Sequence, residues 1–480
     1  MRKFLGLMVL LFLLVSHPFK ASAVISLLDG DIKLDGYMRT WLQMWTDHGQ
    51  AANFADFRGT LQLEGQFKFT ENTLLVAILR GTRESLGNYS RKQGVPDDYF
   101  DENFDDCVRE LYLEIKYPGL TIRAGRQQVI WGETDFFRTA DIINPIDFSW
   151  RSFLEDWQDI RIPNWMLFIT KEIPDSWGRG AMEFIWKPGI DDAEDVVDKF
   201  APTGAPWAIR PGPPAPLPVA LSVEYPGKGL TNGSGGIRYL NQFSMLGRFF
   251  NYSLNYYYGW QEGPVADFRG IYIDPVLGPV IDLGLKYKRA RVIGATLNFS
   301  IDELESVVRV EAGYWKDRGY NFDTNKADLR TRLNHPEGFL TKDLLRYSVG
   351  WDWTPSQWWT KWGSRQAWMY SIQLFQDFII DYDEDEYILR TAGYPPRQHE
   401  LETVITFFCN GHYWFDRIQP GFAAGYDIRG SWMWIPSCNF IYGDHWRAKI
   451  EWDGFNGKKY NNIGYLSSND MLCLKLTYQF

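Results

Sequence analysis

The feature of this chain that most restricts its fold is an alternation of apolar and polar side chains at every second residue, repeated along its length. Residues 471–480 show it clearly, because Lys475, Thr477 and Gln479 share one parity and the other parity is wholly apolar or aromatic: Leu472, Leu474, Leu476, Tyr478 and Phe480. A β-strand sends successive side chains to opposite faces, so such a segment has one apolar and one polar face. The same pattern recurs at residues 61–69, 111–117, 252–258, 308–314, 345–353, 368–374 and 446–453.

The composition indicates which kind of β-protein these strands build. Aromatic residues make up 17% of the chain, with 22 Trp and 26 Tyr, and transmembrane β-barrels place such residues in girdles at both membrane interfaces. No stretch beyond residue 23 approaches the roughly 18 consecutive apolar residues of a membrane-spanning helix. We therefore predict an all-β fold, an antiparallel transmembrane β-barrel with a lipid-facing exterior and a polar lumen. A secreted, aromatic-rich sugar-binding protein is the alternative.

Connection lengths predict the topology, since such barrels have short periplasmic turns and long outer loops. Short connections are expected at 71–72, 118–119 and 174–177, and long ones at 84–106, 132–163, 189–235, 318–342, 381–397 and 454–469. This near-alternation predicts about 18 strands, with about 16 as the fallback. The higher count requires 283–300 to be one long strand.

The beginning of the chain predicts export. Arg2 and Lys3 precede an apolar run, and the small residues 21–23 offer a cleavage site. Residues 1–23 are therefore expected to be a secretory signal peptide. Residues 24–480 are expected to form a single barrel domain.

The last residues predict where the exported chain resides. Tyr478 and Phe480 stand at the close of the final alternating segment. They resemble the closing strand of bacterial outer-membrane β-barrels, which pairs with the first strand and is read by the assembly machinery. We predict a location in the outer membrane of a Gram-negative bacterium. The expected partners are outer-membrane lipid, lipopolysaccharide and the barrel assembly machinery.

One segment, 132–163, interrupts the alternation. It is rich in both charged and aromatic side chains, a combination that a wholly solvated loop does not normally carry. A lumen accepts both, because its polar wall pairs the charges. We predict an inward-folded segment that narrows the pore; the alternative is an aromatic-packed outer loop on the barrel rim. The pore-constriction candidates are Asp141, Asn144, Arg151, Glu155, Asp156, Asp159 and Arg161.

The expected partners of these groups are charged side chains on the inward parity of the strands. Such charges persist when they are paired or hydrated, because a bare buried ion costs several kcal/mol. Rings of lumen charge also set the selectivity of a pore. The predicted lumen wall comprises Arg123, Arg309, Glu311, Arg447, Lys449 and Glu451.

Several binding functions find no support in the residues. The glycines at 227–236, within the predicted outer loop 189–235, lack the GKS or GKT ending of a phosphate loop. A net charge of −10 makes nucleic acid a poor partner. The acidic stretch 377–386 lacks the spacing and glycine of a calcium loop. No cofactor or metal site is expected. Cys107, Cys409, Cys438 and Cys473 show no CxxC, which leaves a periplasmic disulfide open but unassigned.

An enzymatic barrel is not expected either. A hydrolase would need a nucleophile or base in a convergent arrangement, and no Ser/His motif is evident. The histidines beyond the signal peptide are expected at surface turns or loops. They are His48, His335, His399, His412 and His445.

A series of motifs around the interrupted segment resembles a known family. Residues 124–132 read AGRQQVIWG, 140–145 read ADIINP, and Leu-Glu-Asp at 154–156 and Arg-Ile-Pro at 161–163 follow. The preceding RELYL at 109–113 also fits. This order resembles the Gly-Arg-Gln…Trp-Gly…Asp-x-x-Asn-Pro signature of a family of proteobacterial outer-membrane proteins catalogued as a domain of unknown function.

The resemblance implies an outer-membrane β-barrel and a transport context. Members are often encoded near RND-type exporters and lipid- or sterol-handling periplasmic proteins, which implies a periplasmic or RND-type transport partner. The implied cargo is a hydrophobic or amphipathic compound. This chain departs from the family by inserting Trp157-Gln158 between Asp156 and Asp159, which leaves the local geometry there open.

Three functional hypotheses follow. The first is an outer-membrane channel or transport component for hydrophobic or amphipathic compounds. The second is a non-conducting barrel scaffold of an envelope complex, plugged by its own segment. The third, a barrel enzyme, is the least favoured. Conductance of the purified protein in a planar bilayer separates the first from the second.

Overall fold

A computed structural model describes residues 25–27, 30–46, 53–85, 107–174, 180–189, 201, 205–208, 216–227, 229–355, 363–364, 366–390 and 397–480. The predicted signal peptide, 1–23, lies outside the described residues. Among the described residues, no helix is long and apolar enough to cross a membrane.

The described residues are almost entirely β-structure. Short helices are α1 (Trp157–Ile160) and α2 (Leu329–Asn334), and 3-10 turns occur at Ser152–Leu154, Leu230–Asn232, Asp302–Leu304, Glu384–Glu386 and Gly464–Leu466. The strands are β1 (Ile25–Leu27), β2 (Ile32–Trp45), β3 (Asn53–Thr70), β4 (Thr73–Glu84), β5 (Val108–Tyr117), β6 (Leu120–Gln127), β7 (Asn164–Ile173), β8 (Gly180–Lys187), β9 (Val219–Glu224), β10 (Ser234–Met245), β11 (Arg248–Trp260), β12 (Val265–Asp274), β13 (Gly278–Lys286), β14 (Arg289–Ile301), β15 (Ser306–Asn321), β16 (Phe339–Trp353), β17 (Met369–Ile379), β18 (Leu401–Asn410), β19 (Ile418–Asp427), β20 (Ser431–Tyr442), β21 (Trp446–Gly457) and β22 (Met471–Gln479).

The largest sheet closes on itself. Of its 19 strands, β1 pairs only with β2, and the other 18 form a continuous antiparallel ring. The ring is closed by β2 and β22, in register from Tyr37 opposite Gln479 to Trp45 opposite Met471. Closure leaves no free edge, which is what a sheet surrounded by lipid requires. The predicted antiparallel barrel of about 18 strands is confirmed.

The alternation in the sequence explains which face each side chain takes. On β22, Leu474 and Leu476 point outward and are 37% and 40% exposed, whereas Cys473 and Thr477 point inward and are buried. Leucines exposed on the outside of a ring are stable when lipid surrounds it. Among the described residues, Cys409, Cys438 and Cys473 are free thiols.

The two ends of the ring differ in their connections. At one end, here the short-turn end, single turns of two residues join β3 to β4, β5 to β6 and β10 to β11. At the other, the long-loop end, the connections are extended, and 128–163 and 322–338 are examples. The connection 428–430 between β19 and β20 is a short exception at the long-loop end.

The expectation that 283–300 forms one strand is wrong. The chain breaks at Tyr287 and Lys288, so that β14 begins at Arg289 in the ring while β13 leaves it. Strand β13 pairs with β12 and, in parallel, with β9 in a separate three-stranded sheet. The ring keeps an even count because β12 and β13 leave it as a pair. Alternation could not reveal this, since an outer hairpin shows the same period as a barrel strand.

Candidate functional site

Residues 132–163, here called the lumen segment, cross the interior of the ring. The segment starts from the long-loop end of β6 and returns to β7. Near its start, the Ala140 amide donates to Glu311 of β15 at 2.9 Å. Near its end, Asp159 receives a hydrogen bond from Arg80 of β4 at 2.6 Å. Strands β4 and β15 lie nearly opposite each other in the ring. The segment is therefore held between two nearly opposite parts of the ring wall.

Asn144 holds the two ends of the lumen segment together. Its Oδ1 accepts a hydrogen bond from the Val129 amide at 2.8 Å, and its Nδ2 donates to the Ile162 carbonyl at 2.9 Å. The same Nδ2 lies 3.3 Å from the Gln127 carbonyl. Val129 precedes the segment and Ile162 ends it, so this one side chain closes a loop of more than thirty residues. Asn144 is fully buried.

Asp141 and Arg161 form a second contact across the base of the segment. Arg161 donates from Nη2 and Nε to Asp141 Oδ2, at 2.6 and 3.1 Å. Ile146 and Arg161 also form a main-chain bridge. Asp141 and Arg161 are buried, as Asn144 is. The structure thus places these three predicted constriction residues inside the folded segment, where they maintain its shape.

Arg151 attaches the middle of the segment to the barrel wall. Its guanidinium donates to Asp453 at 2.7 Å and to Glu451, both on β21. It also lies over the rings of Trp41 and Trp207, 4.6 and 5.3 Å from their centroids. Arg151 is 1% exposed. A cation so deeply buried is stable because two carboxylates and two aromatic faces replace its water.

Glu155 and Asp159 bind a different part of the wall. Lys475 of β22 lies 3.4 Å from Glu155, and Arg39 of β2 lies 2.6 Å from Asp159. Burial raises the pKa of Asp159, but Arg80 and Arg39 outweigh it and hold the pKa below its usual range. Burial likewise raises the pKa of Glu155, and Lys475, followed by Arg151, outweighs it and lowers that pKa. Both carboxylates are therefore held ionised.

Three carboxylates, Glu155, Asp156 and Asp159, come within 4.8 Å of one another. Two of them already have cationic partners from the wall, and Asp156 is exposed. Their negative charge is thus balanced by protein cations, so the arrangement suits ion pairs rather than a resident metal ion.

The predicted lumen-wall residues divide into two groups. Arg309, Glu311 and Glu451 contact the lumen segment: Arg309 lies 2.9 Å from Asp135, for example. The others pair along the wall itself. Arg123 lies 2.6 Å from Glu114, Lys449 lies 2.5 Å from Glu451, and Arg447 donates to the carbonyls of Gly443 and Trp446.

The predicted assembly-signal residues lie where the ring closes. Tyr478 packs against the rings of His445 and Trp446, with centroids 5.4 and 4.9 Å away. The main chain of Phe480 exchanges two hydrogen bonds of 3.0 Å with Gly36, just beyond the part of β2 that pairs with β22. Recognition of Tyr478 and Phe480 by the assembly machinery stays a prediction.

Several residues that contact the lumen segment are not among the site residues predicted from the sequence. Arg39, Arg80, Asp453 and Lys475 lie on the inward, polar parity of their strands, which was the only available signal. No sequence signal pointed to Trp207, which lies in the proline-rich loop 189–235. Its side chain is nevertheless 1% exposed, and its indole N–H donates to Gln43 at 3.2 Å. Part of that predicted outer loop therefore packs inside the ring.

An apolar cluster fills part of the lumen around Arg151. Trp150 and Trp207 pack there with Ile463 and Leu466 from the connection between β21 and β22. Met433 of β20 completes the contact with the wall. The lumen segment is thus held by both ion pairs and apolar packing.

The inserted Trp157-Gln158 forms the first turn of α1. The carbonyl of Gln158 accepts a hydrogen bond from Arg109 of β5 at 2.6 Å. Trp157 faces a cavity between the lumen segment and the wall. The insertion therefore adds an aromatic wall to this cavity without breaking the segment.

That cavity, here called the rim cavity, has a volume of about 440 Å³ and lies towards the long-loop end. Charged and aromatic residues line it together. Its arginines and acids are Arg138, Arg318, Arg346, Arg390, Glu262, Asp377 and Glu402. Its aromatic residues are Phe136, Phe137, Phe148, Phe153, Trp157, Trp207, Phe375, Tyr460 and Tyr465.

Comparisons with known proteins find one family and a general likeness to solved barrels. Residues 13–196 match the model of the family described as "Protein of unknown function (DUF1302)". The resemblance seen in the sequence is thus confirmed over the part of the chain that contains the lumen segment. A search of curated proteins finds no match.

The solved structures that resemble this chain include three with low sequence identity. Acinetobacter baumannii OccAB1 is 10% identical, with 96% of this chain and 98% of that chain covered and a TM-score of 0.49. A BenF-like porin from Pseudomonas fluorescens Pf-5 is 8% identical, with 94% and 98% covered and a TM-score of 0.48. Pseudomonas aeruginosa OpdK with vanillate is 8% identical, with 94% and 98% covered and a TM-score of 0.45.

Proposed function

We propose that this protein is a constricted channel of the outer membrane of a Gram-negative bacterium. The observation that carries the proposal is the lumen segment, 132–163, held between nearly opposite walls of a closed ring. A ring with leucines outside and charges inside suits lipid around it and water within it. A segment fixed across such a lumen narrows the path and places charges along it.

The cargo that we propose is hydrophobic or amphipathic. Aromatic side chains of the lumen segment, among them Phe136 and Trp157, line the rim cavity together with arginines and acids. Ligand sites usually combine apolar walls with a few polar groups that fix orientation. A periplasmic or RND-type transport partner on the short-turn side would continue the path, and lipopolysaccharide would surround the long-loop end. No reaction chemistry is part of the proposal.

A second candidate, a non-conducting barrel scaffold, is favoured by one observation. The cluster of Trp150, Trp207, Ile463 and Leu466 fills part of the lumen with apolar side chains, and all four are buried. Such packing would block the passage of water if it extended across the whole cross-section of the lumen. The two candidates differ in a directly measurable property, the passage of ions.

The test is reconstitution of the purified protein in a planar lipid bilayer. A constricted channel is expected to give discrete current steps smaller than those of an open barrel of similar strand number. Heat-dependent migration in a denaturing gel confirms that the sample is a folded barrel. Folded protein that gives no steps over many insertions would contradict the channel and favour the scaffold.

A further inference from the structure

Among the described residues, the ion pairs around the rim cavity include all but one of its arginines. Arg346 donates to both oxygens of Asp377, at 2.7 and 2.6 Å. Arg390 lies 3.0 Å from Glu402, and Arg138 lies 3.3 Å from Glu262. Each acid lining the cavity therefore has one of the cavity's arginines at ion-pair distance. Arg318 remains: among the described residues it forms no ion pair, and its guanidinium lies only over aromatic rings, those of Trp315 and Tyr320.

A β-bulge turns Arg318 towards the cavity. On β15 the register with β16 shifts between Trp315, opposite Leu344, and Arg318, opposite Lys342. Three residues on β15 thus match two on β16, and Asp317 has a φ of 58° at the extra position. Without the bulge the strand parity would direct Asp317 inward and Arg318 outward. Bulges commonly re-aim a side chain beside a functional site.

Two further polar groups in the cavity lack partners. The hydroxyl of Thr139 and the Nδ2 of Asn461 are buried and form no hydrogen bond among the described residues. Both residues line the rim cavity with Arg318. Buried donors without partners are uncommon, and a bound ligand is one way of satisfying them.

We infer that the rim cavity binds an amphipathic carboxylate, an apolar or aromatic body bearing one carboxylate group, with Arg318 holding the carboxylate. The inference deepens the proposed transport function and rests on it for its biological role. A guanidinium presents a fork of donors that matches a carboxylate. The cavity volume of about 440 Å³ lies within the range of pockets that enclose such molecules. Phe137, Phe375 and the other rings supply the apolar wall.

The test compares two probes of equal size that differ in charge, 1-naphthoate and 1-naphthamide. Binding is measured by isothermal titration calorimetry on the purified, detergent-solubilised barrel. The dissociation constant of the wild-type protein for naphthoate is expected to be at least about tenfold lower than that for naphthamide. A hydrogen bond to a charged group contributes a free energy of that size. Arg318→Gln should abolish the preference without changing the binding of naphthamide. Arg318→Lys should retain part of it.

The matched control is Arg248→Gln, since Arg248 lies at the short-turn end and pairs with Glu303 at 2.6 Å. This variant should bind both probes as wild type does. Equal binding of the two probes to wild type, no binding of naphthoate, or an unchanged preference in folded Arg318→Gln would overturn the inference. Bilayer conductance of the same samples separates the two proposals. Selective binding without current steps would refute the channel but support the carboxylate site. Current steps without selective binding would support the channel but refute the carboxylate site.

Discussion

At the scale of single residues, Arg151 determines how the lumen segment meets the wall. Its backbone has a φ of 49°, in the left-handed region, which costs a non-glycine residue on the order of 1 kcal/mol. This conformation is held by the two β21 carboxylates on the guanidinium, Glu451 and Asp453. Strain of this kind persists only where surrounding contacts fix it. The contacts that hold the Arg151 backbone in this conformation therefore also fix the position of the lumen segment.

Replacing Arg151 by Gln should destabilise the folded segment strongly. Two buried carboxylates would lose their cation, and breaking a buried ion pair costs about 3–5 kcal/mol. The expected result is a lower temperature for the gel-mobility transition of the barrel. Arg447→Gln is the control, because the hydrogen bonds of the Arg447 side chain to described residues go to the main-chain carbonyls of Gly443 and Trp446, at the start of β21. Equal transition temperatures for the two variants would refute this role of Arg151.

The carboxylates of the segment predict its response to pH. The pKa of Asp159 is held below its usual range by Arg80 and Arg39 despite burial. A lowered folded-state pKa contributes stability that is fully present above the unfolded value, about 3.9, and is lost as the pH falls through the folded value. The contribution of Asp159 to holding the segment should thus stay constant from about pH 8 to about pH 5 and fall only below about pH 3, where the conductance should rise. Asp159→Asn should lack this acid rise, and an unchanged acid rise in that variant would contradict the assignment.

At the scale of elements, the lumen segment is a loop closed at its base by Asn144. Replacing Asn144 by Ala would leave the Val129 amide and the Ile162 carbonyl without their partner, at about 1–3 kcal/mol for each buried group. The segment should then open more often and be cut faster by a protease, while the ring strands remain protected. Gln158→Ala, at an exposed side chain, is the control. Equal cleavage rates in both variants would show that Asn144 does not close the loop.

The closing pair of strands predicts a second effect at this scale. Deleting Phe480 removes two main-chain hydrogen bonds to Gly36 and a ring beside Tyr478. The amount of protein in the outer-membrane fraction should fall several-fold, measured by immunoblot. Lys475→Ala is the control, because Lys475 faces the lumen, where it lies 3.4 Å from Glu155 and over the ring of Trp41, and the change leaves the main chain of the closing strand intact. Unchanged levels of the deletion variant would show that Phe480 is not part of an assembly signal.

Periodicity determined which elements could be predicted from the sequence. Alternation marks strands with two different faces, so the ring and its approximate strand number were predictable. It does not distinguish a barrel strand from an outer hairpin, which is why 283–300 was assigned wrongly. The loop around Trp207 has no periodicity, so its inward packing left no signal. The partners of Asp159 could not be named, because Arg39 and Arg80 lie 120 and 79 residues away and only the strand register brings them together.

At the scale of the whole molecule, the connections that fill part of the lumen enter it from one end. The lumen segment, the described residues 205–208 and the connection 458–470 all belong to long-loop connections and pack in the interior. Two-residue turns such as 71–72 and 118–119 are too short to fold inward. The barrel therefore narrows from the long-loop side, where the rim cavity also lies. A molecule arriving from that side would meet the cavity before the ion pairs of Arg151 and Asp159.

The most direct test of this account is the single-channel conductance of a variant in which residues 135–160 are replaced by a short Gly/Ser linker. Heat-dependent gel migration and β-rich circular dichroism establish that the ring still folds. Removing the segment takes away Arg151, Glu155 and Asp159 together and should widen the path, so the conductance should rise several-fold above that of the parent. A folded variant that inserts normally and conducts no better than the parent would show that residues 132–163 do not constrict a channel.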